Sequence, residues 1–298
     1  MSRDTIGRYV WIIDTLRRYG HLTRSQLNSL WVRSPLSGGR PMPERTFHNY
    51  RRGIEQSFNI TIECNSAGEY SVAEDDDARR RTISDWMLDS YAVSDALLDS
   101  ATLAERVEVE DVPSAREFLP IAMEAVRDNL TVVFTYAGFN RSRPEEDIAF
   151  HPYFLKRYKQ RWYMVGVKEK SGELRTYALD RVRQMVLTDT RFERPEDFTP
   201  EDVFGNIIGV TTSRAEVRDV KLMATPTQAK YFRALPLHPT QREELHDHYS
   251  IFTYRLKLNY ELVSEILALG DAVKVIAPTE LKVMVATSLR SALSQYLD

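Results

Sequence analysis

Arg161-Trp-Tyr-Met-Val-Gly-Val167, the turn Lys170-Ser-Gly-Glu173 and the return Arg175-Thr-Tyr-Ala-Leu-Asp-Arg181 decide how this chain is read. Successive side chains of an extended strand point to opposite faces. Alternation sets Arg161, Tyr163 and Val165 on one side, with Trp162 and Met164 on the other. On the return strand it sets Arg175, Tyr177, Leu179 and Arg181 on a common side, against Thr176, Ala178 and Asp180. A short Ser-Gly turn between two such runs signals a β-hairpin. Upstream, Val132, Phe134 and Tyr136 share a face of another strand, and His151-Pro-Tyr-Phe-Leu155 belongs to the same set. Tyr and Arg on one sheet suit a ligand that carries phosphate or a base. Arg161, Arg175 and Arg181 are expected beside Tyr163 and Tyr177, with Asp180 turned away. Three guanidiniums so placed would call for an anion, with Tyr136 or His151 free to stack. In the basic run Lys156–Arg161, Lys156 and Lys159 read as a solvated loop. Trp162 reads as core, and Asp180 as a residue that could orient Arg161 or Arg181.

Outward from this sheet, the N-terminal sequence reads as helical. Ile6, Tyr9, Val10, Ile13 and Leu16 recur at helical spacing, and Gly20 can cap the helix that they define. Thr23-Arg-Ser-Gln26 fits a capping box before a second helix with Leu27, Leu30 and Trp31 on its apolar face. Pro43 can open a third helix. On its wheel Phe47, Ile54 and Phe58 cluster, flanked by Tyr50 and Arg51. Arg45, Asn49, Arg52 and Gln56 fall opposite, and His48 lies beside them. Arg, Asn and Gln are the side chains that read guanine and adenine edges in the major groove. Ile60–Cys64, a turn at Asn65-Ser-Ala-Gly68 and Tyr70–Val72 then predict a hairpin. Three helices and a hairpin make a winged helix-turn-helix over 1–73, with duplex DNA as its partner.

Charge supports that division. Residues 1–73 carry ten Arg, no Lys and six acids, a net +4, whereas residues 74–118 carry five basic and thirteen acidic side chains, a net −8. A basic, Lys-free module suggests phosphate contact, with a solvated surface as the alternative that +4 alone does not displace. The acidic stretch, with Glu74–Asp77, Arg79–Arg81 and then Ile83, Trp86, Met87, Tyr91, Leu97, Leu98 and Leu103, reads as a helical linker. Leu119 to Asn129 reads as a helix leading into the sheet of the 119–205 region. In 206–298, strands are expected at Val220–Ala224, Phe252–Leu258 and Ala272–Ile276. Helices are expected at Thr227–Leu235, at Glu261–Leu269 and from Pro278 onward. Leu281, Val285, Leu289, Ala292 and Tyr296 form one stripe of the last helix. This order favours an α/β sandwich.

A chain of 298 residues accommodates two or three domains. No run approaches the ~18 apolar residues of a membrane helix, and the N-terminus lacks a signal-peptide apolar segment. One cysteine, Cys64, excludes an internal disulfide and fits a reducing cytoplasm. Phosphate-binding and nucleophile-elbow motifs are missing, so the reading is not an enzyme, and no cofactor is called for. His246-Asp-His248 reads as a polar loop rather than a metal site, and His238, between prolines, as a turn residue.

The strand series resembles the WYL domain family, named for a Trp-Tyr-Leu triplet that stands here as Trp162-Tyr163-Met164. Leu to Met conserves volume. Tyr136, Arg143, His151, Tyr153, Arg161, Tyr163, Arg175 and Arg181 match that family's polar positions in order, with Arg141 an alternative to Arg143. The resemblance implies a small SH3-like or Sm-like β-barrel over 119–205, behind a helix-turn-helix, that senses a nucleotide or single-stranded oligonucleotide. Pro236–Gln241, Ile266–Gly270 and Ala277–Lys282 resemble the extension that follows many WYL domains. The implied whole is a multidomain α+β transcription regulator, cytoplasmic and homodimeric, with an acidic helical linker at 74–118. A protein–protein adaptor and a nucleotide-processing enzyme are the competing readings.

Overall fold

The computed structural model describes residues 3–73, 78–99, 105–108, 110, 112, 115, 117–139, 141–213 and 215–297. It divides into two compact units, Met1–Glu110 and Asp111–Asp298. Glu74–Asp77 and Leu103, expected in the linker, lie outside the described residues, as do the side chains of Leu97 and Leu98.

In the first unit, α1 (Arg3–Tyr19) buries Tyr9, Val10, Ile12, Ile13 and Leu16. Gly20 follows with φ 75°, a left-handed turn that glycine adopts without steric cost. The capping box before α2 (Arg24–Val32) forms as its spacing predicts: Thr23 Oγ1 accepts from the Gln26 amide, and the Gln26 side chain accepts from the Thr23 amide. Pro43 is the N-cap of α3 (Glu44–Phe58), one residue outside the helix that it opens. Phe47, Gly53, Ile54 and Phe58 form the buried side of α3. Gly53 is there because the Tyr9 ring lies on it: a Cβ would stand 2.0 Å from the Tyr9 hydroxyl. The predicted hairpin is β2 (Ile62–Cys64) and β3 (Glu69–Val72), paired Ile62 to Val72 and Cys64 to Tyr70. A two-residue strand, β1 (Leu22–Thr23), adds to its other edge and gives the order β1-β3-β2. Next, α4 (Ala78–Asp99) buries Ser84 and Leu88. Ser84 Oγ donates to the Phe58 carbonyl at 2.8 Å, and Asp85 pairs with Arg17 at 2.7 Å.

The second unit opens with α5 (Leu119–Asp128) and five antiparallel strands: β4 (Leu130–Tyr136), β5 (Glu145–Tyr158), β6 (Arg161–Lys168), β7 (Glu173–Ala178) and β8 (Val182–Arg191). Their order is β7-β6-β5-β4-β8. Among the described residues no ladder joins β7 to β8, so the expected closed barrel appears as an open sheet. The 3₁₀ turn Leu179–Arg181 carries the chain from one edge to the other. This sheet is buried on both faces at its centre. Met164 packs with Phe134, Phe150 and Tyr177 on the α5 side, while Val165 packs with Phe154 and Val203 on the other. At the bulge in β5 between Pro152 and Phe154, a Cβ on Gly166 would lie 1.9 Å from the His151 carbonyl oxygen, so only glycine fits.

A short helix, α6 (Pro200–Phe204), leads to the last domain. That domain runs β9 (Val217–Ala224), α7 (Pro226–Ala234), β10 (Arg242–Leu245), β11 (Ser250–Lys257), α8 (Tyr260–Ala268), β12 (Val273–Ala277) and α9 (Thr279–Leu293). Strand order β10-β11-β9-β12 with all neighbours antiparallel is the split β-α-β-β-α-β arrangement with one helix appended. The stripe expected along α9 divides. Leu281 and Val285 are buried, but Leu289, in the half of the helix that extends past the core, is 51% exposed, and Tyr296, in the turn beyond the helix end at Leu293, is 85% exposed.

Candidate ligand and nucleic-acid sites

The two faces of α3 separate as the wheel requires. Arg45, Asn49, Arg52 and Gln56 are exposed and His48 is half-buried. Arg52 donates to the Asn49 side-chain oxygen at 3.2 Å, and His48 lies 3.8 Å from Glu44. Two neighbouring arginines are committed inward instead. Arg51 donates to the Ile62 carbonyl at 2.6 Å with its guanidinium over Tyr70. Arg24 donates to the Met42 carbonyl and covers the Phe47 ring at 4.9 Å, where burial pulls its pKa down. A groove of about 400 Å³ runs between α3 and β2, lined by His48, Arg51, Arg52, Glu55, Thr61 and Ile62. The α3 face therefore holds donors and acceptors on a helix fixed from behind by its own core.

In the second unit, Tyr136, Arg161, Tyr163, Asp180 and Arg181 come together. Arg161 and Asp180 form a two-point ion pair, with Arg161 Nε donating to Asp180 Oδ1 at 3.3 Å. Asp180 thus does not face away as alternation predicts. The strand ends at Ala178, and the 3₁₀ turn swings Asp180 back toward β6. Register corrects a second expectation. Tyr163 pairs with Ala178, and Met164 with Tyr177. Directly opposed residues share a face, so Tyr163 and Tyr177 lie on opposite faces. Arg175, opposed to Gly166, belongs with Tyr177 and pairs with Glu173 in solvent. The three arginines therefore do not share one surface. Burial raises the Tyr163 pKa, with Arg161 and Arg181 opposing. Tyr177 is pushed up to about 12, mainly by burial and then by Glu145.

Arg181 differs from Arg161. Its guanidinium lies 3.7 Å from the Phe139 ring centroid, and among the described residues its Nε is buried with no hydrogen-bond partner and it makes no ion pair. Since Asp180 neutralises Arg161, Arg181 carries the cluster's uncompensated positive charge. Phe139 escaped the sequence reading because it sits past the end of β4, beyond any alternating pattern.

The other expected ligand residues lie apart. The ring of His151 stacks on Phe192 at 4.9 Å with 9° between planes, which covers one of its two faces. Tyr153 packs against Phe192 and Phe198. Arg143 is exposed in the β4–β5 loop, and Arg141 pairs with Glu145 at 2.8 Å. Glu145 also binds Lys168, which holds its carboxyl below the usual range.

Of the two lysines expected in a solvated loop, Lys159 lies in the exposed turn of the β5–β6 hairpin, whereas Lys156 is drawn inward. Lys156 Nζ donates to the Gly209 carbonyl at 2.6 Å and lies 3.6 Å from the Phe204 ring centroid, and burial lowers its pKa to about 8. Lys159 pairs with Glu265 of α8 at 2.7 Å, and the Tyr158 hydroxyl donates to the same carboxylate at 3.1 Å. Tyr158 is pushed up to about 12, chiefly by burial and then by Glu265. Glu261, also on α8, accepts from the Val210 and Thr211 amides and the Thr211 hydroxyl. The hairpin that begins the Arg161 strand is thereby clamped to the last domain. His238 lies in the bend that follows α7 and is buried there, 8% exposed; it bonds Thr240, and burial lowers its pKa. His246 lies 3.2 Å from Glu244 and stacks on Tyr249. Among the described residues no group of three His, Cys, Asp or Glu is placed to hold a metal ion, and no helix is long and apolar enough to cross a membrane.

These features define a multidomain α+β protein with an exposed polar helix face in one unit and an arginine–tyrosine cluster on a β-sheet in the other. The WYL domain family model matches residues 117–187, and the WCX domain model matches residues 216–293. The chain thus carries a WYL domain followed by a WCX domain. Among solved structures it is similar to proteasome accessory factor B/C (PafBC) of Arthrobacter aurescens, at 19% identity and a TM-score of 0.39, over 98% of this chain and 47% of that one. A CRISPR Cas-related protein is similar at 14% identity and a TM-score of 0.26, over 61% of this chain and 51% of that one. The chain spans about half the length of each. No curated protein matches it.

Proposed function

We propose that this protein is a DNA-binding transcription regulator whose WYL domain senses a nucleotide or single-stranded oligonucleotide. The observation that carries the reading is the polar face of α3, with Arg45, Asn49, Arg52 and Gln56 exposed while Phe47, Ile54 and Phe58 are buried behind them. Three helices with a three-stranded sheet, the last two strands forming a hairpin, support a winged helix-turn-helix with α3 as the recognition helix and His48 at its edge. For the sensor, the support is one uncompensated guanidinium, Arg181, beside Tyr136 and the Arg161–Asp180 pair. That arrangement suits one phosphate better than the three-arginine surface first expected.

The protein works as a homodimer in the cytoplasm, because one helix-turn-helix has a small footprint and two copies on a symmetric site give useful specificity. It catalyses no reaction in this reading. The test is binding to duplexes selected from a random pool, with wild type compared against Arg45→Ala/Asn49→Ala/Arg52→Ala. Wild type enriches a defined sequence and loses affinity steeply as salt rises. The variant, folded by circular dichroism, loses the enrichment. Equal enrichment by the variant would refute the α3 assignment.

A further inference from the structure

We infer that Phe139 is the platform on which one unpaired base of the ligand stacks, with Arg181 behind the ring; this rests on the nucleotide reading of the WYL cluster. Phe139 is 77% exposed, in the loop between β4 and β5. Its ring is held by the Arg181 guanidinium at 3.7 Å, and among the described residues it has no aromatic partner. A cation over an aromatic face is attracted by the ring quadrupole. With Arg181 on one face and the residue 77% exposed, the other face is open to a base.

The other aromatic rings of the domain are already engaged. Tyr136 meets Tyr177 edge-on at 4.8 Å, His151 is stacked on Phe192, and Tyr163 is buried. Charge fits the same ligand. Arg161 is neutralised by Asp180, so the nearby positive charge belongs to Arg181, directly behind Phe139. A phosphate drawn to Arg181 places its attached nucleoside within reach of the ring. A paired base has both faces covered by its neighbours in the duplex, so the platform selects single-stranded ligands.

The experiment measures binding by fluorescence anisotropy, in the full chain carrying Arg45→Ala/Asn49→Ala/Arg52→Ala so that α3 does not contribute. The probes are a mixed-sequence single strand of about eight nucleotides, an abasic strand of equal length and the corresponding duplex. The parent binds the base-bearing strand roughly tenfold or more tightly than the abasic strand or the duplex. Phe139→Ala reduces the base-bearing strand to the abasic level and leaves abasic binding unchanged, whereas Phe139→Trp retains the preference. Equal binding of the base-bearing strand by the parent and Phe139→Ala overturns the platform alone. So does an equal loss for both strands in Phe139→Ala, which would make Phe139 only a support for Arg181. If the parent binds none of the probes, the nucleotide reading fails and the platform falls with it.

Discussion

Replacing Lys156 by Met tests the joint between the WYL sheet and the last domain. The Lys156 ammonium donates to the Gly209 carbonyl and lies on Phe204, while Glu261 spends one carboxylate oxygen on the Val210 and Thr211 amides. Burial lowers the amine to about 8, whereas in an unfolded chain it titrates near ~10.4. Below pH ~8 both states hold the proton and pH has no effect through this group. Between the two values the unfolded chain holds the extra proton, so stability rises with pH by up to ~1.4 kcal/mol per unit. Two units give at most ~2.7 kcal/mol, and partial solvent screening reduces this to ~1–2 kcal/mol. Met keeps the length and the contact with Phe204 but has nothing to titrate. Urea unfolding of both proteins is followed from about pH 7 to about pH 10. The wild-type-minus-variant difference stays level to pH ~8, then climbs by ~1–2 kcal/mol in favour of wild type. Other titrations, including those of Tyr158 and Tyr177, cancel in that difference. A flat difference would mean that Lys156 is solvated and that the joint has been misread.

Gly53→Ala gains ~1 kcal/mol of helix propensity but drives a methyl into the Tyr9 ring, so the first unit loses ~1–3 kcal/mol net in thermal unfolding. Adding Tyr9→Leu recovers part of that loss; no loss in the single variant would mean that α1 and α3 are not packed as described. Arg161→Ala strands the nearly buried Asp180 carboxylate, so it destabilises the sheet more than Arg161→Ala/Asp180→Ala together, by ~1–3 kcal/mol. Additive costs in that double-mutant cycle would deny the pair.

Much of the fold was legible because burial is one-sided where helices form. The stripe Tyr9–Leu16, the Thr23–Gln26 box and the two faces of α3 follow from spacing alone, and the structure adds mainly the tight seat of Gly53. Strands without contrast were not legible. In β1 there are two residues, and β10 is exposed along its whole length, so neither shows an inward-facing alternation. The candidate ligand cluster was half legible. Arg161, Tyr163 and Tyr136 converge as expected, but period two was carried through Leu179–Arg181, where the backbone is 3₁₀, and it misplaced Asp180. Cross-strand register, which one sequence does not reveal, separated Arg175 from Arg161. Lys156 and Phe139 were missed for one reason: a basic run and a loop aromatic look solvated until the tertiary partner, Phe204 or Arg181, is known.

The central claim is that occupancy of the Arg181 cluster changes DNA affinity. The direct measurement is affinity for a selected duplex, with and without a saturating single strand of about eight nucleotides, in wild type and Arg181→Ala. A ligand that favours one state of the protein shifts that affinity by ~5–150-fold in wild type. Arg181→Ala keeps the ligand-free DNA affinity and loses the shift. A duplex affinity that the saturating strand leaves unchanged in wild type, or shifts equally in Arg181→Ala, would contradict the account.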